Sequence, residues 1–214
     1  MIDTLRHQGL RKKLVEELRE KGIHNEKILE AFNAVPRHFF LDLAFEQQAY
    51  SNMAFQIGAG QTISHPYTVA FQTQLLELKR GEKVLEIGTG SGFQTCILCK
   101  LGSKVVSIER QRELHLKSKN IIHHFNFNPK LIFGDGYQGY ELGAPYDKIL
   151  VTCGAPFVPD ALLNQLKTGG ILVIPLGSGA VQEMLRIRRV SETEFEQESF
   201  GDFSFVPMLE DKNH

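Results

Sequence analysis

The stretch VLEIGTGSG at residues 84–92 decides the fold of this chain. Its first residues are apolar apart from Glu86 and predict a short buried strand, and the glycines after them predict a tight loop that opens a helix. Glycines at such a turn let the backbone approach a ligand closely. A strand, a glycine loop and a helix in this order are typical of α/β proteins that bind a nucleotide or a nucleoside.

The residues after this stretch alternate between short apolar runs and helical patterns. Strands are predicted at residues 83–87, 105–108, 131–133, 148–152 and 171–175, with two more at 184–190 and 203–206. Strands separated by helices favour a parallel sheet covered on both faces. The predicted fold class is therefore α/β and Rossmann-like, with a seven-stranded, mostly parallel sheet.

The first 80 residues predict helices and one irregular segment. A helix over residues 5–20 ends at Gly22, a second begins after an N-cap at Asn25, and a third follows Ser64. Residues 50–63 are irregular. We expect one domain over residues 1–214, with residues 1–80 as a helical N-terminal cap and substrate loop and residues 81–214 as the cofactor-binding core.

Composition and charge exclude several classes of partner. Lys and Arg number 24 against 25 Asp and Glu, and a net charge of −1 gives no long-range attraction to nucleic acid or to an anionic membrane. No segment approaches the roughly 20 apolar residues of a membrane-spanning helix, and the N-terminus lacks the apolar core of a signal peptide. We expect a cytoplasmic monomer.

Cysteines and histidines do not suggest a redox or metal site. Cys96 and Cys99 have the CxxC spacing of redox motifs but lie in an apolar helical pattern, which favours packing against the sheet. An odd total of three cysteines suits a reducing compartment. His65 and the pair at 123–124 have no partners at the spacing of metal ligands, so no metal is predicted.

Acidic residues follow the next two strands. Glu109 is predicted to accept hydrogen bonds from both ribose hydroxyls of a nucleoside, and Asp135 to bind an adenine amino group. Because the carboxyl ends of parallel strands meet at one edge of the sheet, these loops form one pocket. Two simpler interpretations stay open: a surface ion pair between Glu109 and Arg110, and a turn-forming role for Asp135.

The spacing of the glycine loop distinguishes between the candidate cofactors. It reads G-x-G-x-G rather than the G-x-G-x-x-G of dinucleotide sites, and no Walker lysine follows. Glu86, two residues before the first glycine, would repel a pyrophosphate but suits a cofactor that carries an ammonium and a sulfonium. S-adenosyl-L-methionine is therefore the predicted cofactor. Its predicted ligands are Glu86, Gly88, Thr89, Gly90, Gly92, Glu109 and Asp135.

Other segments resemble those of the protein-L-isoaspartate O-methyltransferase family. IGAGQTIS at residues 57–64 is similar to the family's IGxGQTIS segment and is far more specific than the glycine loop. The resemblance covers nearly the whole chain in order. Its other segments are VPRHF at 35–39, VLEIGTGSG at 84–92, GDG at 134–136, APYD at 144–147, APFVP at 155–159, QLKTGG at 165–170 and FVP at 205–207.

The resemblance implies a class I methyltransferase fold and methylation of the α-carboxylate of L-isoaspartyl residues in damaged proteins and peptides, the first step of their repair. A carboxylate has a pKa near about 4, so at neutral pH this nucleophile needs no general base. The protein has to position it in line with the methyl group and to exclude water.

The resemblance also implies roles for individual residues. Ser64 matches the active-site serine, Thr62 supports the same loop, and the backbone of Val206 pairs with an extended substrate peptide. Further cofactor contacts are implied at Ile57, Gly58, Ala59, Gly60 and Gly136. Ser64 equally fits the N-cap of the helix that follows, and both roles stay open.

The chain departs from the family pattern at Asn52, where Asp is common, and at Gln56, where proline is common. Neither change removes a hydroxyl or carboxylate that the reaction needs. Two other functions remain as alternatives, a small-molecule O- or N-methyltransferase and a non-catalytic binding module on the same fold. The former needs a base or metal near the sulfonium, and the 57–65 segment offers only His65.

Overall fold

A computed structural model describes residues 2–213 of the chain. Its helices are α1 (Leu5–Glu20), α2 (Glu26–Ala34), α3 (Pro66–Leu75), α4 (Phe93–Lys100), α5 (Arg112–His124) and α6 (Asp160–Gln165). Its strands are β1 (Phe55–Gly58), β2 (Gln61–Ile63), β3 (Lys83–Ile87), β4 (Lys104–Glu109), β5 (Lys130–Phe133), β6 (Tyr146–Val151), β7 (Leu166–Leu176), β8 (Gln182–Arg189) and β9 (Phe195–Phe203).

The main sheet has seven strands in the order β5-β4-β3-β6-β7-β8-β9. The first five strands in this order run parallel, and β8 and β9 are antiparallel additions at one edge. The predicted fold class is confirmed. Because β3 lies between β4 and β6, the loops after these three strands meet at one edge of the sheet, where ligands bind in such folds.

The prediction for the last strand is wrong. A strand was expected at residues 203–206, but β9 ends at Phe203. Its sequence, FEQESFGDF, carries acidic side chains and lacks an apolar alternation because most of its residues are exposed at the sheet edge. Hydrophobic periodicity reports burial, so it does not detect such a strand.

The N-terminal helices pack on the core through one apolar cluster. The cluster includes Leu18 of α1, Phe32 of α2 and Phe93 of α4, each at most 2% exposed. The Asn25 side chain accepts a hydrogen bond from the N–H of Lys27, as expected of an N-cap. Within residues 2–213, no helix combines the length and the apolar character needed to cross a membrane.

Residues 55–63, expected to be irregular, form a short antiparallel hairpin from β1 and β2. Its turn is made by Ala59 and Gly60, whose φ angles are 51° and 67°. The hairpin lies beside the glycine loop, and Ile57 is close to Gly90. After this turn the chain runs along the edge of the sheet where β3, β4 and β6 end.

Candidate active site

A cleft lies at the carboxyl ends of β3, β4 and β6. It encloses about 850 Å³ of space, part of which is open solvent. The parts of the chain that surround it include the glycine loop, the segment 61–64, the end of β4, the residues after β6 and the segment 206–209. Eight of the predicted site residues line it: Thr62, Ser64, Gly88, Thr89, Gly90, Glu109, Gly136 and Val206.

The glycine loop is tied to the neighbouring strands by hydroxyl groups. The Thr152 hydroxyl, just after β6, lies 2.9 Å from the carbonyl of Ile87 and 2.8 Å from that of Gly88. Gly88 has a φ of 97°, and a Cβ there would lie against the same hydroxyl. The hydroxyls of Thr89 and Ser107 are 2.6 Å apart. Side chains at the neighbouring strands therefore fix the position of the loop.

Glu109 is buried at the end of β4, and its two oxygens accept backbone hydrogen bonds. One comes from Gly90 and the other from Gln111, both at 2.8 Å. Burial raises the pKa of this carboxyl. Arg110 instead donates to the carbonyls of Glu210 and Asp211, so the interpretation of Glu109 and Arg110 as a surface ion pair is wrong. Each carboxylate oxygen can accept a second bond, which leaves room for ribose hydroxyls.

Asp135 forms a turn and does not line the cleft. Its oxygens accept hydrogen bonds from the N–H groups of Tyr137, at 2.9 Å, and Asp211, at 3.2 Å. The turn-forming interpretation is therefore correct, and binding of an adenine amino group stays a prediction. The next residue, Gly136, does line the cleft, where a Cβ would overlap the Ile87 side chain. This close approach explains why the position carries glycine.

Glu86 lies beneath the cleft rather than in its wall, and its predicted contact with the cofactor stays a prediction. Successive residues of a strand face opposite sides of the sheet: Ile87 lines the cleft, and the Glu86 carboxyl faces α4, where the Thr95 hydroxyl donates to it at 2.5 Å. Burial raises its pKa to about 7. Its second oxygen has no hydrogen-bond partner among residues 2–213.

The cofactor contacts expected at residues 57–60 stay a prediction, because these residues lie outside the wall of the cleft. Ile57, Gly58, Ala59 and Gly60 do not line the cleft, because they form the outgoing strand and the turn of the hairpin. The returning segment, residues 61–64, lines it instead. Gly92 does not line the cleft either; it is the N-cap of α4 and lies near Ile122, and its predicted cofactor contact stays a prediction.

Ser64 is not the N-cap of α3. The cap position belongs to His65, which makes no side-chain cap bond. The Asn52 side chain accepts a hydrogen bond from the N–H of Tyr67 at 2.9 Å, so the residue that departs from the family pattern satisfies the helix terminus. The Ser64 hydroxyl is left for the cleft, which Ser64 lines. Its carbonyl accepts a bond from Arg37 at 3.0 Å.

Several lining residues were missed by the sequence analysis. Thr152 and Cys153 directly follow β6, and the rule that used the ends of β4 and β5 would have found them. Gln72 and Gln94 are buried amides within helices and carry no sequence signal. The missed lining residues include Gln61, Gln72, Gln94, Arg110, Thr152, Cys153, Met208 and Leu209.

A second polar cluster lies outside the cleft, in the N-terminal helices. Ligand atoms of Asp3, His7 and His38 lie within 4.8 Å of one another. Both Asp3 oxygens, however, accept bonds from Arg11 at 3.0 Å, and the two imidazole rings stack 3.9 Å apart instead of converging on one point. The cluster is therefore an ion pair beside a ring stack that links α1 to the segment after α2.

Cys96 and Cys99 lie in α4, with Cys96 buried and Cys99 partly buried, which agrees with the packing interpretation. Cys96 is fully buried and all three thiols are free. Burial raises the pKa of Cys99 and of Cys153 to about 12. Thiols in this state are neutral at physiological pH and are weak nucleophiles.

The residues around the cleft fit S-adenosyl-L-methionine better than a phosphate-bearing cofactor. Two buried carboxyls, Glu86 and Glu109, lie at or below the glycine loop, and one oxygen of Glu86 lacks a donor among the described residues. The only cation among the described lining residues is Arg110, whose guanidinium is bonded to backbone carbonyls. The sheet order, the glycine loop after β3 and the buried acid at the end of β4 define a class I, Rossmann-like methyltransferase.

Comparison with known proteins identifies the family. The family model described as protein-L-isoaspartate(D-aspartate) O-methyltransferase matches residues 9–213, and the chain belongs to this family. Protein-L-isoaspartate O-methyltransferases of Christiangramia forsetii and Flavobacterium psychrophilum are 59% and 58% identical over the full length of both chains.

Solved structures agree with this result. A Plasmodium falciparum chain assigned as a beta-aspartate methyltransferase, in complex with S-adenosyl-L-homocysteine, has a TM-score of 0.81 and 25% identity and covers 93% of this chain and 98% of its own. A second protein-L-isoaspartate O-methyltransferase structure has a TM-score of 0.84 and 27% identity, with 92% of this chain and 65% of that chain covered.

Proposed function

We propose that the Ser64 hydroxyl holds the α-carboxylate of an L-isoaspartyl residue while S-adenosyl-L-methionine methylates it. The reaction is that of the family, methylation of isoaspartyl residues in damaged proteins as the first step of their repair. One observation carries the assignment of the acceptor: the described cleft wall offers the hydroxyls of Ser64 and Thr62 but neither His nor Lys. A carboxylate is already anionic at neutral pH, whereas a hydroxyl or ammonium acceptor needs a base.

Each residue of the acceptor side would have a separate role in the methyl transfer. The cofactor supplies an electrophilic methyl group on a sulfonium. Ser64 donates a hydrogen bond to one carboxylate oxygen, which leaves the other oxygen aligned for attack. Thr62, two residues earlier on β2, holds the same segment. The apolar side chains of Met208 and Leu209 help to exclude water from the cleft, so that positioning supplies most of the rate.

On the cofactor side, we assign the ribose hydroxyls to Glu109 and the close approach of the nucleoside to Gly88, Thr89, Gly90 and Gly136. Support comes from the buried position of Glu109 and from its bond to the Gly90 N–H. On the peptide side we assign Val206, whose carbonyl already accepts a bond from Gly154 at 2.8 Å. The substrate backbone would therefore pair with the N–H of Val206.

The remaining expectations enter this proposal as well. We propose that residues 1–80 cover the acceptor side of the core and that the protein acts on peptides as well as proteins, as a cytoplasmic monomer. The three free cysteines support a reducing compartment. The net charge of −1 supports substrates other than nucleic acid or a membrane surface.

One assay distinguishes the proposed function from the alternative, a small-molecule O- or N-methyltransferase. Tritiated S-adenosyl-L-methionine is supplied with paired peptides that differ only in an L-aspartyl or an L-isoaspartyl linkage. We expect base-labile methyl ester on the isoaspartyl peptide alone. Equal labelling of both peptides, or of neither, would refute the assignment.

The role of Ser64 is tested by Ser64→Ala, with Ser64→Thr as the matched variant that keeps a hydroxyl. Loss of a hydrogen bond to a charged group costs about 1.5–3 kcal/mol, so we expect turnover to fall roughly 10- to 150-fold. Affinity for S-adenosyl-L-homocysteine should stay within about twofold, since the hydroxyl faces the acceptor. A collapse of cofactor affinity would instead assign Ser64 to the cofactor.

A further inference from the structure

Arg37, between α2 and β1, is a buried cation without a counterion among the described residues. Arg37 is 1% exposed and is one of the largest fully buried side chains. No carboxylate of residues 2–213 lies within salt-bridge distance of it. Burial lowers the pKa of its guanidinium, yet arginine remains protonated at neutral pH. A full positive charge is therefore held inside the protein.

The guanidinium is fixed by three backbone carbonyls. Nε donates to Ala49 at 3.0 Å, and the two terminal nitrogens donate to Met53 at 2.9 Å and to Ser64 at 3.0 Å. Carbonyl dipoles stabilise a cation, but they do not neutralise its charge. The net charge of this group thus remains available to act on its surroundings.

Two contacts place this charge directly behind the wall of the cleft. One is the bond to the carbonyl of Ser64. The other is Phe93, which lines the cleft and whose ring centroid is 5.4 Å from the guanidinium carbon of Arg37. This placement agrees with the lowered pKa of His65, the neighbour of Ser64, which burial and then the Arg37 charge lower.

We propose that Arg37 is a specificity-determining residue that makes the cleft select an anionic acceptor, a carboxylate rather than a carboxamide, at the Ser64 hydroxyl. This inference rests on the proposed role of Ser64. An uncompensated charge acts strongly on a nearby anion because the protein between them is poorly polarisable and little screened by salt. Arg37 does not touch the substrate; its charge acts across the segment that it holds.

The proposal is tested by the binding of two peptides to the protein saturated with S-adenosyl-L-homocysteine. The peptides are identical except that one carries isoaspartate and the other isoasparagine, whose α-carboxyl is an amide. Calorimetry should show that the wild-type protein binds the carboxylate at least about tenfold more tightly, and that Arg37→Met lowers this ratio at least about tenfold. If Arg37 had only a structural role, Arg37→Met would weaken the binding of both peptides alike. The ratio of the two affinities would then stay unchanged, which would overturn the proposal.

Arg37→Lys is the matched variant, because it keeps the charge and loses the three-point attachment. We expect it to retain most of the preference for the carboxylate while its turnover falls. Arg110→Gln is the second control, since Arg110 is the cation in the described cleft wall. It should leave the ratio of the two peptide affinities unchanged.

A measurement on the wild-type protein keeps the proposal testable if Arg37→Met does not fold. A buried charge is screened little by salt, so the ratio of the two affinities should be the same at low and high ionic strength. If the ratio of the two affinities fell to about one at high salt, the preference would come from exposed cations and the assignment to Arg37 would be wrong.

Failure of this inference can be told from failure of the proposed function. If Ser64→Ala leaves turnover unchanged, the assignment of Ser64 fails whatever Arg37→Met does. If Ser64→Ala lowers turnover and Arg37→Met keeps the ratio, the assignment of Arg37 alone fails.

Discussion

The carboxylate of Glu109, at the end of β4, accepts a hydrogen bond from the backbone N–H of Gly90 in the glycine loop at 2.8 Å. Its other oxygen accepts from Gln111 at the start of α5. One buried side chain thus sets the distance between the loop after β3 and the loop after β4. These are the two walls between which a nucleoside would lie.

Glu109→Ala removes this connection together with the acceptor proposed for the ribose. Removing a charged hydrogen-bond partner costs about 1–3 kcal/mol, so we expect affinity for S-adenosyl-L-homocysteine to fall roughly 5- to 150-fold in calorimetry. Glu109→Gln keeps one acceptor oxygen, so its affinity for S-adenosyl-L-homocysteine should lie between those of the wild-type protein and Glu109→Ala. Wild-type affinity in Glu109→Ala would contradict the assignment.

Asn52→Ala tests which residue caps α3. The Asn52 side chain accepts from the N–H of Tyr67, and loss of an N-cap typically costs about 1 kcal/mol. Urea unfolding should show this loss in Asn52→Ala, while Asn52→Asp, which keeps the acceptor, stays near wild type. Ser64→Ala should leave the unfolding free energy nearly unchanged; a loss of equal size there would return the cap to Ser64.

Glu86 gives stability a specific dependence on pH. Burial raises its pKa from 4.5 to about 7, so between these values the folded protein binds a proton that the unfolded chain releases. This contribution is fully present below pH 4.5 and is lost as the pH rises through 7. The shift corresponds to roughly 3 kcal/mol.

Glu86→Gln removes the titrating group while keeping the shape of the side chain. Urea unfolding at acidic and mildly alkaline pH should show that the wild-type protein loses more stability than Glu86→Gln as the pH rises. Parallel pH profiles for the two proteins would show that Glu86 is already ionised in the folded state.

Two glycines should respond to alanine in opposite ways. Gly9 is exposed in the middle of α1, and a Cβ added there would have no atom within 4 Å, so Gly9→Ala should stabilise the protein by about 0.5–1 kcal/mol. A Cβ at Gly136 would overlap Ile87, so Gly136→Ala should destabilise it by about 1–3 kcal/mol and weaken cofactor binding. Thermal unfolding measures the stabilities and calorimetry the cofactor affinity. If Gly136→Ala left both unchanged, the Ile87 side chain would have moved aside at little cost in free energy.

The sequence was sufficient to predict the α/β sheet, the glycine loop and the edge where the cleft lies. These features depend on local patterns: apolar runs for the strands, and glycines and acids where strands end. Glu109 was found because its position at the end of β4 fixes which loop it adjoins. The position of Gly136 follows in the same way from the end of β5.

The remaining parts depend on contacts between distant segments, which local patterns do not contain. Ser64 looked equally like a cap until Asn52, 12 residues earlier, was seen to occupy that role. Glu86 was expected in the cleft, but the pleat of β3 points it toward α4. The register of the β1–β2 hairpin decided that residues 61–64, and not residues 57–60, face the cleft.

The segment 206–213 has a consequence for the order in which the protein is made. Met208 and Leu209 are part of the cleft wall, and Asn213 exchanges backbone hydrogen bonds with Arg110 and Arg112 more than 95 residues earlier. A growing chain on the ribosome can form β3 and its glycine loop long before this segment emerges. The cleft is completed only after this segment emerges and docks, so cofactor capture should follow the synthesis of residues 206–213.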